Sequence, residues 1–316
     1  PLSSPTFTEG DAHAVSRTLQ SGWVSTASPI VGEFERAFAH YAGSATHPLH
    51  AAGLNAGTSA LHLALRVLGL GPGDEVVVPA LTFVASVNPV RYVGATPAFA
   101  DVEGETFSLS ARTVRQALSP RTRAIVATHL FGFAAECDAL RELADREGLF
   151  LVEDAAEALG TAWGLRHVGG FGHLGCFSFN GNKTLTTGSG GMLVGADADM
   201  IRRARSLSAQ DRVLDSDEIE HASIGYNCRM NALQAALGLS QLERVDALVE
   251  RRREIAQAYR DALTGVEGLR FCWLDPEATN QTPGYWLSTL LLEDPTLRQP
   301  LLRFARERGI ECRPVL

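Results

Sequence analysis

The chain has 316 residues, 45% hydrophobic and 20% charged, the balance of a water-soluble globular protein with room for a large core and about two domains. A formal charge of −8 argues against a nucleic-acid partner, no apolar run approaches the roughly 18 residues of a membrane span, and the first residues lack the charged-then-apolar pattern of a signal peptide. The five cysteines are odd in number, scattered and free of Cys-x-x-Cys spacing, which suits reduced thiols in the cytoplasm and neither a disulfide frame nor a metal site.

Gly57, Thr58 and Ser59 open a helical pattern running through Leu61, Leu65 and Leu68. Residues 75–79 read as a buried strand and 82–92 as a helix that Pro89 kinks or stops. Residues 97–102 and 124–128 read as further strands, 136–147 as a helix, and 149–152 as a strand running into Glu153 and Asp154. Strands at 177–179 and 191–194 flank a loop rich in Gly, Ser and Thr that carries Lys183. A long helix, whole or in two pieces, spans 230–263, and its Arg251, Arg252 and Arg253 read as a solvated face. Residues 286–292 look like a strand and 295–309 like a helix. This alternation predicts an α/β fold with a mostly parallel sheet covered on both faces. Residues 1–263 form the expected large domain, and 264–316 begin a smaller α+β one.

In such sheets ligands bind beyond the carboxyl ends of the strands, and the polar residues of interest fall there. Gly57, Thr58 and Ser59 make either a phosphate seat, from amide groups and the helix dipole, or an ordinary N-cap. Asp154 either pairs with a pyridinium nitrogen or caps the next turn. Phe177 and Phe179 close before Lys183, and four glycines from Gly181 to Gly191, argue against an ordinary surface lysine. Ser178 and Asn180 are candidate phosphate or lysine-positioning donors. Phe83 either stacks on a flat ring or belongs to the core. His129 either faces the site or makes a structural hydrogen bond, and Arg229 is a candidate anion contact. Phosphate donors, an acid for a ring nitrogen and an amine for a Schiff base are together what pyridoxal 5′-phosphate requires.

These motifs, with Ser21 to Thr26, Gly73 to Val76, Leu81 to Ala85 and Gly225 to Met230, resemble the DegT/StrS family of nucleotide-sugar aminotransferases. That family has the type I fold of pyridoxal-phosphate enzymes, and the resemblance covers nearly the whole chain. Phe179 to Lys183 is most similar to the branch that aminates UDP-linked keto-hexoses for bacillosamine- or legionaminic-acid-type sugars. The resemblance implies catalysis by Lys183 and Asp154. It implies cofactor binding by Gly57, Thr58, Ser59, Phe83, Asp154, Glu157, Ser178, Asn180 and Lys183, with Asn227 or Arg229 reaching the cofactor of a second subunit in a homodimer with a shared site. Glu157 stands where many relatives carry Gln or His near the ring hydroxyl. Trp23, Ser25, Thr26 and Arg313 are the implied substrate contacts. The implied reactants are L-glutamate and a UDP- or GDP-linked 4-keto-6-deoxyhexose, aminated at C4 rather than C3. Dehydratases of the family carry His in place of the lysine, so Lys183 favours amino transfer over dehydration; a silent cofactor-binding scaffold is the other alternative. Relatives continue past Arg313 and Pro314, so the resemblance implies that part of the small domain is missing.

Overall fold

The computed structural model describes residues 2–214 and 218–315. Two helices not anticipated from the sequence come first, α1 (Glu9–Gln20) and α2 (Pro29–Ala42). The start of α1 is set by a reciprocal cap, in which Asp11 N–H bonds to the Thr8 hydroxyl and the Asp11 carboxylate accepts from Thr8 N–H. The chain then alternates: β1 (His50–Leu54), α3 (Gly57–Val67), β2 (Glu75–Pro79), α4 (Asn88–Tyr92), β3 (Thr96–Ala100), α5 (Ala111–Ala117), β4 (Thr122–Thr128), α6 (Cys137–Glu147) and β5 (Phe150–Asp154). A short hairpin of β6 (Ala162–Trp163) and β7 (Arg166–His167) precedes β8 (Leu174–Ser178) and β9 (Gly191–Gly195). Next come α7 (Ala198–Ser208), α8 (Ala232–Leu242) and α9 (Val245–Leu263). The last elements are β10 (Leu269–Phe271), α10 (Pro276–Thr279), β11 (Gln281–Thr282), β12 (Leu290–Leu292) and α11 (Arg298–Glu307).

Seven strands form the central sheet in the order β1-β9-β8-β5-β4-β2-β3, with β9 alone antiparallel to its neighbours. Both faces are covered, which explains why the central strands read as unbroken apolar runs. Val76, Val78, Val126 and Val152 point to a core shared with α3, whereas Val77, Ile125 and Leu151 point to one shared with α5 and α6. At about 1.5–3 kcal/mol for each fully buried side chain, this two-faced burial is the main force holding the strands in register. A third core joins Phe34 and Phe38 of α2 to Phe177 and Phe179 around the lysine loop. The result is a single edge of the sheet along which Leu54, Ser178, Asp154, Thr128 and Pro79 line up as strand ends.

Three expectations need correction. Residues 82–92 form a 3-10 turn (Val84–Ser86) and a separate short helix, because Pro89 suits a helix start and not its interior. The strand expected over 286–292 is confined to Leu290–Leu292, and Trp286 packs inward instead. The arginine run is not one solvated face. Arg251 pairs with Glu254 at the surface, but Arg252 donates to the Trp286 carbonyl (3.3 Å) and the Ser3 hydroxyl (2.8 Å). Arg253 likewise donates to the carbonyls of Pro283 (3.1 Å) and Gly160 (3.0 Å). The long helical stretch is two helices, interrupted where Arg244 turns back to Asp11 (2.6 Å).

Beyond α9, Cys272, Leu274, Tyr285 and Trp286 pack against Phe107, Leu130, Phe131 and Phe133. Cys137, Cys176, Cys228 and Cys272 are buried free thiols and Cys312 is an exposed one. Among the described residues no helix is long and apolar enough to cross a membrane.

Candidate active site

At one end of the strand-end edge lies the start of α3. Its N-cap is Ala56, which has no side chain able to cap, so Gly57, Thr58 and Ser59 form the first turn and the N-cap alternative for Thr58 and Ser59 falls. The Ser59 hydroxyl donates to Asn55 Oδ1 (2.7 Å). Ser178, the last residue of β8, lies against this turn: a Cβ on residue 57 would come within 2.8 Å of the Ser178 Cβ. Glycine is therefore required for the contact, which sets the Ser178 hydroxyl beside the positive end of the helix. Ser189 closes the turn from the other side through a bond to the Asn55 carbonyl (2.8 Å). Asn55 N–H bonds to the Cys228 carbonyl (2.8 Å) and Leu54 bridges Arg229, so residues 227–230 run alongside. Cys228 is buried there, and Asn227 and Arg229 on either side of it are exposed.

Asp154 ends β5 and is only 4% exposed. One carboxylate oxygen accepts from the Ser86 hydroxyl at 2.6 Å and the other from Ala156 N–H at 3.1 Å. Ser86 was not anticipated. It is oriented by Thr82 (2.8 Å), which also reaches Thr128 (3.4 Å), so a chain of hydroxyls crosses three strand ends to reach the acid. Phe83, between these two hydroxyl residues, is 52% exposed, so the core alternative for it falls as well.

Lys183 follows a turn closed by its own N–H on the Asn180 carbonyl (2.9 Å). Asn180 itself is exposed and bonds to the Asn182 side chain (3.3 Å) and, through its N–H, to the Ser178 hydroxyl (3.4 Å). The lysine amine lies 3.4 Å from Glu157 Oε1 and 3.7 Å from the centre of the Trp286 ring. Glu157 Oε2 accepts from Phe131 N–H at 3.1 Å. The Trp286 indole N–H bonds to the Asn182 carbonyl (2.8 Å), which also accepts from the Ser3 hydroxyl (2.8 Å). Burial depresses the basicity of Lys183, against the pull of Glu157 and Asp154. Burial raises the Glu157 carboxyl above its ordinary range, opposed by Lys183 and the Phe131 amide and reinforced by Asp154. Trp286 carried no signal in the sequence beyond a strand-like apolar run.

His129 takes the structural role. Fully buried, it accepts Ala135 N–H on Nδ1 (3.0 Å), which leaves Nε2 to donate to Glu153 (3.0 Å). Glu153 also accepts from Gly169 N–H (2.7 Å) and Gly172 N–H (2.5 Å). His129, Cys137 and Glu153 bring ligand-type atoms within 4.8 Å of one another. Both ring nitrogens and both carboxylate oxygens are already engaged, and burial keeps the Cys137 thiol protonated, so this cluster is a pin between loops and not a metal site. Trp23, Ser25 and Thr26 lie in the α1–α2 loop, with Trp23 exposed and Val24 bonded through its carbonyl to the start of α8 (3.3 Å). Arg313 is exposed and pairs with Glu311 (2.6 Å), whose other oxygen accepts from Leu2 N–H (3.0 Å).

The residues fit pyridoxal phosphate. A helix start without a capping side chain, with Ser178 against it, offers donors for a phosphate, and a buried carboxylate held by two donors stays placed to receive a ring N–H. A desolvated amine in the same edge offers the nucleophile, and Phe83 offers a free aromatic face.

Comparison with known proteins agrees. The family model described as the DegT/DnrJ/EryC1/StrS aminotransferase family matches residues 5–316. The chain is 38% identical over 316 residues to GDP-perosamine synthase of Vibrio cholerae, spanning 99% of this chain and 84% of that protein. It is 38% identical over 320 residues to EpsN of Bacillus subtilis, which carries the name of a pyridoxal phosphate-dependent aminotransferase, spanning 99% of this chain and 80% of that one. The crystal structure of the aminotransferase TlmJ from Streptoalloteichus hindustanus superposes with a TM-score of 0.92 at 34% identity, covering 100% of this chain and 85% of that chain. By sequence, by fold and by the chemistry gathered at one sheet edge, the chain belongs to the DegT/DnrJ/EryC1/StrS family of pyridoxal-phosphate-dependent aminotransferases.

Proposed function

We propose that this enzyme transfers the amino group of L-glutamate to C4 of a nucleotide-linked 4-keto-6-deoxyhexose. The observation that carries the reading is the largely desolvated Lys183 amine, set on the same sheet edge as Asp154 and the open helix start. A GDP-linked acceptor is favoured over a UDP-linked one, since relatives from three bacteria carry the name GDP-perosamine synthase.

When bound, pyridoxal phosphate supplies an aldehyde for the amine and a ring that withdraws electrons from the bond being broken. The amides of Gly57, Thr58 and Ser59, with the hydroxyl of Ser178, would hold its phosphate. Asp154, fixed by Ser86 and Ala156, would keep a proton on the ring nitrogen. Phe83, with its exposed ring, would cover one face. Lys183 carries a proton to and from the substrate carbon once its amine is free, and Trp286 excludes water from that transfer. Trp23, Ser25 and Thr26 form the sugar-nucleotide side of the cleft, with Arg313 as an outer anion contact. The exposed apolar side chains Trp23, Val24, Phe83, Val84 and Ile224 support assembly as a homodimer, in which Asn227 or Arg229 reaches the neighbouring cofactor.

The test is to incubate the purified protein with pyridoxal phosphate, L-glutamate and a GDP-linked 4-keto-6-deoxyhexose. Mass spectrometry should find the amino sugar nucleotide and 2-oxoglutarate in equal amounts, and Lys183→Ala should produce neither. A product that has lost water, or no product from a yellow protein, would overturn the proposal.

A further inference from the structure

A lysine attacks an aldehyde as the neutral amine, so its ammonium must first pass a proton to a neighbour. Around Lys183 the choice is narrow. Glu157 Oε1 is 3.4 Å from Nζ, and the two side chains are only 9% and 13% exposed, so bulk water has little access. The other charged group facing them is Asp154 from β5, whose oxygens already accept from Ser86 (2.6 Å) and Ala156 (3.1 Å). From the C-terminal segment the face that meets Nζ is the neutral indole of Trp286, and Arg252 of α9 is engaged by the Trp286 carbonyl. Phe131 N–H holds the far oxygen of Glu157 at 3.1 Å, which keeps Oε1 aimed at the amine. That amide is itself presented by an uncommon backbone, since Phe131 has φ 58 and Gly132 φ 96.

We propose that Glu157 is the base that takes the proton from Lys183, so that the amine meets the cofactor aldehyde neutral. The inference rests on the pyridoxal-phosphate reading above. Burial prepares both partners for this exchange, lowering the proton affinity of the lysine and raising that of the carboxylate. The balance closes within the pair. The ammonium gives one proton to Oε1, the nitrogen then forms a double bond to the aldehyde carbon, and its two remaining hydrogens leave with the aldehyde oxygen as water. Glu157 ends protonated and Lys183 uncharged, so no ion is left buried without a partner. Because the proton moves inside a closed pair, capture should not wait for hydroxide in solution.

The experiment compares cofactor-free wild type with Glu157→Gln, which keeps an acceptor for Phe131 N–H but cannot take a proton. Each is mixed rapidly with pyridoxal phosphate between pH 6 and 9, quenched with borohydride at set times, and the reduced adduct on the Lys183 peptide is quantified by mass spectrometry. The cofactor's own titrations affect both proteins, so the readout is the ratio of the two rates. The ratio of wild type to variant should climb as pH falls, by about tenfold per unit once neutral lysine becomes scarce in the variant. A ratio that stays flat across the range would overturn the role of Glu157 and leave it a structural acceptor. Absence of any Lys183 adduct in wild type would instead overturn the cofactor reading itself. Should the Gln variant fail to fold, Glu157→Ala is measured with and without formate, a carboxylate small enough for the vacated space. Acceleration that grows with formate supports the proposal, and no acceleration overturns it.

Discussion

Gly132→Ala is the most informative single change outside the reacting groups. Residue 132 has φ 96, and a Cβ there would lie 2.6 Å from Tyr285 N, 2.8 Å from Trp286 N and 3.1 Å from Tyr285 Cα. All three are backbone atoms, so no side chain can rotate to make room. The positive φ costs an alanine about 1–2 kcal/mol, and forcing a methyl into filled space typically costs about 1–3 kcal/mol. Together these give a loss of about 2–5 kcal/mol, a large share of the roughly 5–15 kcal/mol that holds a typical domain folded. Part of it can be relieved if residues 284–286 lift away, but Trp286 then leaves Lys183 and the bond from Gly284 N–H to the Gly132 carbonyl (3.1 Å) breaks. Urea titration followed by far-ultraviolet circular dichroism measures the loss, and a red shift in tryptophan emission reports exposure of the indole. A variant with wild-type midpoint and wild-type emission would refute the close packing of the Gly132 turn against the Trp286 segment.

Ser86→Ala removes a hydroxyl from a buried carboxylate and should lower stability by about 1.5–3 kcal/mol in urea titrations; a change within experimental error would mean that Asp154 does not depend on that donor. Gly57→Ala drives a methyl against Ser178, and a penalty of about 1–3 kcal/mol at the phosphate seat corresponds to a roughly 5- to 150-fold weaker Kd for pyridoxal phosphate by equilibrium dialysis. Unchanged retention would remove that helix start from the site. Burial would raise the Glu153 carboxyl, but bonds from His129, Gly172 and Gly169 outweigh it and hold the group below its ordinary 4.5. A depressed carboxylate contributes stability above its unfolded value and loses it as pH falls through the folded one. Wild type should therefore lose stability below about pH 4.5, and Glu153→Gln should be less stable at neutral pH with a shallower acid decline in thermal melts. Parallel wild-type and variant curves would contradict this.

Much of the candidate site's edge was legible because its signals are local. An apolar run such as 76–78 followed by a proline, or 150–152 followed by two acids, places a strand end within a residue or two. Glycines and hydroxyls after residue 177 mark a loop close to a ligand. Partners supplied from far along the chain were not legible. Ser86 reaches Asp154 across 68 residues, and nothing in the composition around either one announces the other. Trp286 looked like the head of a strand because Trp, Leu and Thr favour strands, yet tertiary packing against Phe133 and Lys183 prevailed. Arg252 and Arg253 read as solvated because charge runs usually are, and only the carbonyls of a distant segment explain their inward reach. The helices at 9–20 and 29–42 went unread: α1 is largely polar, and the apolar stripe of α2 is assembled from aromatic residues whose partners come from the lysine loop.

The Asn182 carbonyl accepts from Ser3, 179 residues earlier, and from Trp286, 104 residues later. A nascent polypeptide on the ribosome has all seven strands of the sheet once residues 50–195 are made, yet the turn bearing Lys183 gains its last tether only when residue 286 has emerged. Catalytic competence should thus trail behind compaction during synthesis, and limited proteolysis between residues 264 and 285 should abolish coenzyme capture while the bulk of the protein stays folded.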